Sequence, residues 1–176
     1  MNSHHCVRLI LVILLCSLNS LAQQNSVINS SQSGDPVVLL HRLVGHWDVF
    51  ASTRLDSSIG NMRVVPVAKG RGVFSTFKFG ENDNPSYEAN SIWAYDSILK
   101  KVFAYEVNSL GAVFTHIGAF TSEGSLQLFR YDKSDTSAIL QESLLTWMPE
   151  NSMVFSAIFA TDKGRRKSTW VFKKVQ

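Results

Sequence analysis

The sequence predicts an all-β fold: a single antiparallel up-and-down barrel of about ten strands with one short N-terminal helix. Three observations predict it. Short stretches rich in Val, Ile, Phe, Tyr and Trp recur from His46 to the C-terminus. Clusters of Gly, Asn, Asp, Ser and Pro separate them at regular intervals, among them Ser57-Ser58-Ile59-Gly60, Asn82-Asp83-Asn84-Pro85, Ser122-Glu123-Gly124 and Asp162-Lys163-Gly164. Only one stretch, ahead of the first strand, has helical period. Evenly spaced short strands joined by tight turns make a meander, and a meander removes its exposed edges most simply by closing on itself.

Residues 1–22 read as a signal peptide. His4, His5 and Arg8 form a weakly basic start, and residues 9–15 are an unbroken apolar run too short to span a bilayer comfortably. Ser20 and Ala22 place small residues where a signal peptidase reads, which implies cleavage before Gln23. An uncleaved anchor ranks second, because Ser17, Asn19 and Ser20 interrupt the run. A lipid anchor on Cys16 ranks third, because Leu15 stands where a small residue is needed. The expected location is therefore the periplasm or the outside of the cell, with no membrane span in the mature chain. Residues 23–34 are mostly Gln, Asn and Ser and read as a disordered tether. Residues 35–176 are expected to form one barrel domain, since they suffice for one core and are too few for two.

Both cysteines, Cys6 and Cys16, fall in the leader, so the mature domain carries no disulfide and depends on packing. The chain has 17 Lys and Arg against 14 Asp and Glu. Its basic residues are scattered, apart from Lys163, Arg165, Arg166 and Lys167 near a predicted turn. A nucleic-acid partner needs a broad basic face interleaved with aromatics, and that pattern is missing.

Asp35-Pro36 opens the helix, expected over residues 37–43, with Asp35 as cap and Gly45 as terminator. Strand one is expected at 46–54, with Trp47, Val49 and Ala51 on one face. Strand two, 63–68, contains Pro66, which lacks an amide hydrogen and predicts a bulge or a local gap in pairing. Strand three, 73–79, sets Phe74 against Val73, Phe77 and Phe79. Strand four, 87–95, holds Ile92 and Trp93; strand five, 102–107, holds Phe103 and Tyr105. Strand six, 113–120, holds Phe114, His116 and Gly118. Strand seven, 126–131, sets Leu126, Leu128 and Arg130 against Gln127, Phe129 and Tyr131. Strands eight (139–147), nine (153–160) and ten (168–174) complete the meander, with Phe155, Ala157 and Phe159 sharing a face of strand nine. A ten-stranded barrel is wide enough for a ligand unless large side chains fill it. With eleven Phe, four Trp and four Tyr, this chain has the aromatics to fill a good part of it.

Leu43-Val44-Gly45-His46-Trp47 resembles the Gly-x-Trp signature of the calycin superfamily of lipocalins and fatty-acid-binding proteins. Ile92-Trp93-Ala94-Tyr95-Asp96, Lys100-Lys101-Val102-Phe103, Asn108-Ser109-x-Gly111 and Gly118 extend the likeness to a bacterial family of lipocalin-like barrels without a settled activity. The resemblance implies that Gly45 and Trp47 close one end of the barrel, with an Arg such as Arg130 or Arg166 packed on the Trp. Nitrobindins are ten-stranded haem barrels of similar shape with a proximal His near the C-terminus, and residues 153–176 contain none.

The remaining chemistry is sparse. His41, His46 and His116 form no metal motif, so neither a metal nor another cofactor is expected. No nucleophile motif is present. Glu106 and Glu142 lie mid-strand among apolar neighbours; inward, either would suit acid–base work, but outward placement is the simpler expectation. Tyr105, His116 and Arg130 sit on three successive strands and are the candidate ligand-binding residues, a polar spot in an aromatic lumen. The expected function is an exported barrel for a small apolar or amphipathic ligand. An isomerase-like or cyclase-like barrel enzyme, and a solid-cored interaction module, are the alternatives.

Overall fold

Residues 34–81 and 84–175 are described by the structure, a computed structural model. The expected leader, all of the expected tether but Gly34, and both cysteines lie outside them. Asp35 caps the helix as its sequence implies: the side chain accepts from the Val37 amide at 2.9 Å, and Pro36 opens the first turn. This helix, α1, spans Pro36–His41 and buries Leu39 and Leu40. Among the described residues, no helix is long and apolar enough to cross a membrane.

Ten strands follow: β1 (Gly45–Ala51), β2 (Gly60–Val67), β3 (Gly72–Glu81), β4 (Asn84–Asp96), β5 (Lys101–Asn108), β6 (Val113–Ser122), β7 (Ser125–Tyr131), β8 (Ile139–Met148), β9 (Ser152–Thr161) and β10 (Gly164–Lys174). Each pairs antiparallel with the next, and β10 returns to pair with β1, so the sheet is a closed barrel. Closure leaves the ladder no free edge, and strand alternation then sends one face of every strand into the lumen.

Of the two outcomes expected at Pro66, the gap in pairing is found and the bulge is not: Pro66 sits in register opposite Val73, while β1 pairs with β2 only as far as Val64, so Pro66 has no partner on that side. The register shifts fall instead at Phe79/Gly80, Phe120/Ser122 and Arg130/Tyr131. The basic cluster is also not confined to a turn. Arg165, Arg166 and Lys167 lie in β10, paired with β9, and Arg165 reaches the Glu142 carboxylate at 3.2 Å.

Helix α1 lies over one end of the barrel and plugs it. Leu39, Leu40 and Leu43 join Trp47, Phe120 and Leu126 in the core there. Trp47 is only 2% exposed, and its indole N–H donates to the Leu43 carbonyl at 2.8 Å. Gly45 has φ of +144°, a conformation open to glycine, and an added Cβ would collide with the Lys174 side chain. The cation over the Trp47 ring is Lys174, at 5.3 Å, not an arginine. Arg166 is exposed and Arg130 stacks elsewhere. Arg42 fastens the helix by donating to the Glu123 carbonyl and covering the Trp147 ring at 5.3 Å. His41 is tied to the Gly70 carbonyl at 2.7 Å.

Candidate functional site

Away from the plug, the inward positions turn small. Ser75, Ala89, Ser91, Ala104, Gly118, Ser143 and Ala157 are all buried and face the lumen or its wall. Gly118 is required for more than space: a Cβ there would overlap the Gln127 carbonyl of β7. Small side chains at these positions leave a cavity of about 540 Å³, which runs from Leu43 beneath the helix to Ser86 and Phe159 beside the opposite rim. Aromatic side chains, including Phe77, Phe79, Trp93, Phe155 and Trp170, line other parts of it.

One sector of that wall is polar. Across β5 to β9, the inward row reads Ala104, His116, Arg130, Gln141 and Phe159. The adjacent row, from β3 to β6, reads Ser75, Ser91, Glu106 and Phe114. Glu106 Oε1 accepts from the Tyr87 hydroxyl at 2.9 Å, and Asn108 donates to that same hydroxyl oxygen at 3.4 Å. The Arg130 guanidinium lies over the Phe114 ring at 4.1 Å, a cation–π contact. Its buried Nε has no hydrogen-bond partner. Deeper in, the Ser75 and Ser91 hydroxyls bond at 2.7 Å, and both accept from the Trp93 indole.

Burial governs the protonation of this sector. His116 is 9% exposed, and burial, helped by the Arg130 charge, lowers its pKa to about 4, so the ring is neutral at pH 7. Tyr87 is pushed up to about 12, first by burial and then by the Glu106 charge and hydrogen bond. Burial also pulls Arg130 down, while Glu106 and Tyr87 push it back up. A guanidinium stays charged through such a change.

The sequence-predicted residues divide as follows. His116 and Arg130 are direct cross-strand partners and both line the cavity. Tyr105 does not join them. It is 51% exposed and pairs with Thr115, while the β5 residue opposite His116 is Ala104. A shift of one residue along a strand changes the face, so Tyr105 belongs to the outer row of Val65, Phe74 and Ile92. Glu106, expected outward, points inward for the same reason. Glu142 is outward, held by Gln127 at 3.1 Å and by Arg165. Tyr87 and Gln141, which belong to no sequence motif, also line the cavity. Their only signal is strand parity, which becomes readable once neighbouring strands are in register.

His41, His46 and His116 occupy the helix, an exposed position of β1 and the lumen respectively, and do not converge. Among the described residues, no group of three or more His, Cys, Asp or Glu is placed to hold a metal. No protein-family model and no curated protein matches the chain. Among solved structures, a redesigned β-barrel matches at 14% identity over 83% of this chain and 100% of that one, with a TM-score of 0.40. A likeness at that level speaks to neither ligand nor reaction.

Proposed function

We propose that the protein is an exported barrel that binds one small amphipathic molecule in its lumen. The observation that carries this reading is the cavity itself: about 540 Å³, lined mostly by aliphatic and aromatic side chains, with its titratable groups gathered on one sector. A volume in the range of about 300–1,000 Å³, apolar walls and a few convergent polar groups are the usual make-up of a small-molecule site. A space of this size argues against a solid-cored interaction module. The plug of Gly45 and Trp47 supports kinship with calycin barrels, with Lys174 taking the place of the arginine.

Catalysis ranks below binding on the protonation of the wall. An acid–base residue works best with a pKa near the working pH. His116 is displaced to about 4 and Tyr87 to about 12, so one is a poor base and the other a poor acid at neutrality. An isomerase or cyclase would have to bring both back with its substrate. Export rests on the leader, and mass spectrometry of protein from the producing cell should find a chain that begins near Gln23 without an acyl group; a lipid on Cys16 would refute that part.

The binding reading is tested by titrating hydrophobic dyes and fatty acids against the wild type and Ala89→Phe. Ala89 lines the cavity, so a Phe there fills it. The wild type is expected to bind a dye saturably at one site, and the filled variant to lose that binding while it melts no lower. No saturable binding by the wild type would overturn the proposal.

A further inference from the structure

The lumen contains two opposite charges that face the same space without meeting. Glu106 on β5 and Arg130 on β7 flank β6, opposite Phe114 and His116 respectively. Strands two apart are separated by roughly 9–10 Å, so the side chains must bend toward each other to touch. They do not: the Glu106 charge raises the Arg130 pKa, but no ion pair joins them. Arg130 is drawn over Phe114 instead, and its Nε is buried without a partner. Glu106 spends one oxygen on Tyr87. A buried donor without an acceptor is costly, so the site is incomplete as it stands.

We infer that the ligand's head carries a hydrogen-bond acceptor for Arg130 and a donor for Glu106, and has no net charge. This rests on the lumen-binding reading above. A simple carboxylate satisfies Arg130 but stands next to Glu106 as a like charge. A simple alkylammonium has the opposite fault against Arg130. A head that joins donor to acceptor, either as a zwitterion or as an uncharged hydroxyamide, bridges the two and leaves the lumen with balanced charge. His116, neutral beside Arg130, adds a hydrogen-bonding group without adding charge. The apolar wall takes the apolar chain.

The test holds the chain constant and varies the head. Dodecanoate, dodecylammonium, N-dodecylglycine and N-dodecanoylethanolamine would be titrated against the wild type, Glu106→Gln and Arg130→Gln. Like-charge contacts are strongly unfavourable at desolvated sites, so N-dodecylglycine, N-dodecanoylethanolamine or both should bind the wild type at least about tenfold tighter than either charged probe. Which of the two wins tells a zwitterionic from an uncharged head. Glu106→Gln should shift the ranking toward dodecanoate, and Arg130→Gln toward dodecylammonium. These are changes of preference, which a general loss of folding would not produce. If dodecanoate binds the wild type tightest and Glu106→Gln leaves the ranking alone, this inference is wrong while the lumen reading stands. If no probe and no dye binds the wild type, both fail.

Discussion

The two ends of this barrel use the same strands for opposite purposes. At the plugged end, inward side chains are large and interlocked: Trp47, Phe120, Leu126 and Met153 are almost wholly buried beneath Leu39, Leu40 and Leu43. Further along, the same strands turn in Ser, Ala and Gly, and the space left over holds Glu106, His116 and Arg130. One end is built for stability and the other gives stability up. A closed sheet permits this division because its ladder holds the strands in place whether or not the lumen is full. The contrast makes unequal predictions for the two ends.

The largest effect belongs to the plug. Trp47→Ala should lower unfolding stability by about 3–5 kcal/mol, since it opens a void under the helix and leaves the Leu43 carbonyl without its donor. Phe159→Ala, at the rim of an existing cavity, enlarges a space already there and should cost only about 1 kcal/mol. Urea denaturation of both variants measures the difference. Equal losses would mean that the two ends are packed alike and would break the comparison.

A smaller effect, with a pH signature, belongs to the wall. His116 has its pKa depressed to about 4 in the folded chain, against an ordinary 6.5. Between those values the unfolded chain takes up a proton that the folded chain refuses, so stability falls as the pH drops from 6.5 toward 4. The loss from this group reaches about 3 kcal/mol at the lower limit. His116→Gln should flatten that slope, and the difference between the two stability–pH curves removes the contribution of the carboxylates. Parallel curves would place His116 in contact with water rather than in the wall.

The legibility of the sequence follows the same division. Asp35-Pro36, the helix it caps, and the Gly45–Trp47 plug are local signals, each complete within a few residues, and they can be read without neighbours. The parity of β3 is equally plain, because Phe77 and Phe79 point the same way as Val73. Strand β5 misleads. Its bulky face of Phe103, Tyr105 and Val107 looks like a core face, yet it lies outside, and the modest face of Val102, Ala104 and Glu106 lies within. A strand that borders a cavity reverses the ordinary size rule, because the lumen there is kept open by small residues. Tyr105 is expected beside His116 from strand order alone, and cross-strand register puts Ala104 there instead. Register between strands is a property of the whole sheet, so no single stretch of sequence contains it.

The finest test of the comparison is the titration of Tyr87, which senses both charges of the wall. Its folded pKa of about 12 lies above the ordinary 10, with burial as the main cause, then the Glu106 charge and the hydrogen bond to Glu106. Arg130 and Asn108 act the other way. The folded chain therefore holds this proton through a pH range in which the unfolded chain releases it. The stabilisation is complete below pH 10 and is lost as the pH rises through the folded value. Glu106→Gln should bring the Tyr87 pKa down by about one pH unit but not to 10, because burial remains. Arg130→Gln should raise it, since the phenolate loses its nearby cation. Phenolate absorbance, read as a difference against Tyr87→Phe in each background, follows this one ring. Opposite shifts from the two variants would place both charges around one pocket. A Tyr87 that ignores Arg130 would put the guanidinium outside that pocket, and the two charged ends of the wall would then be separate features.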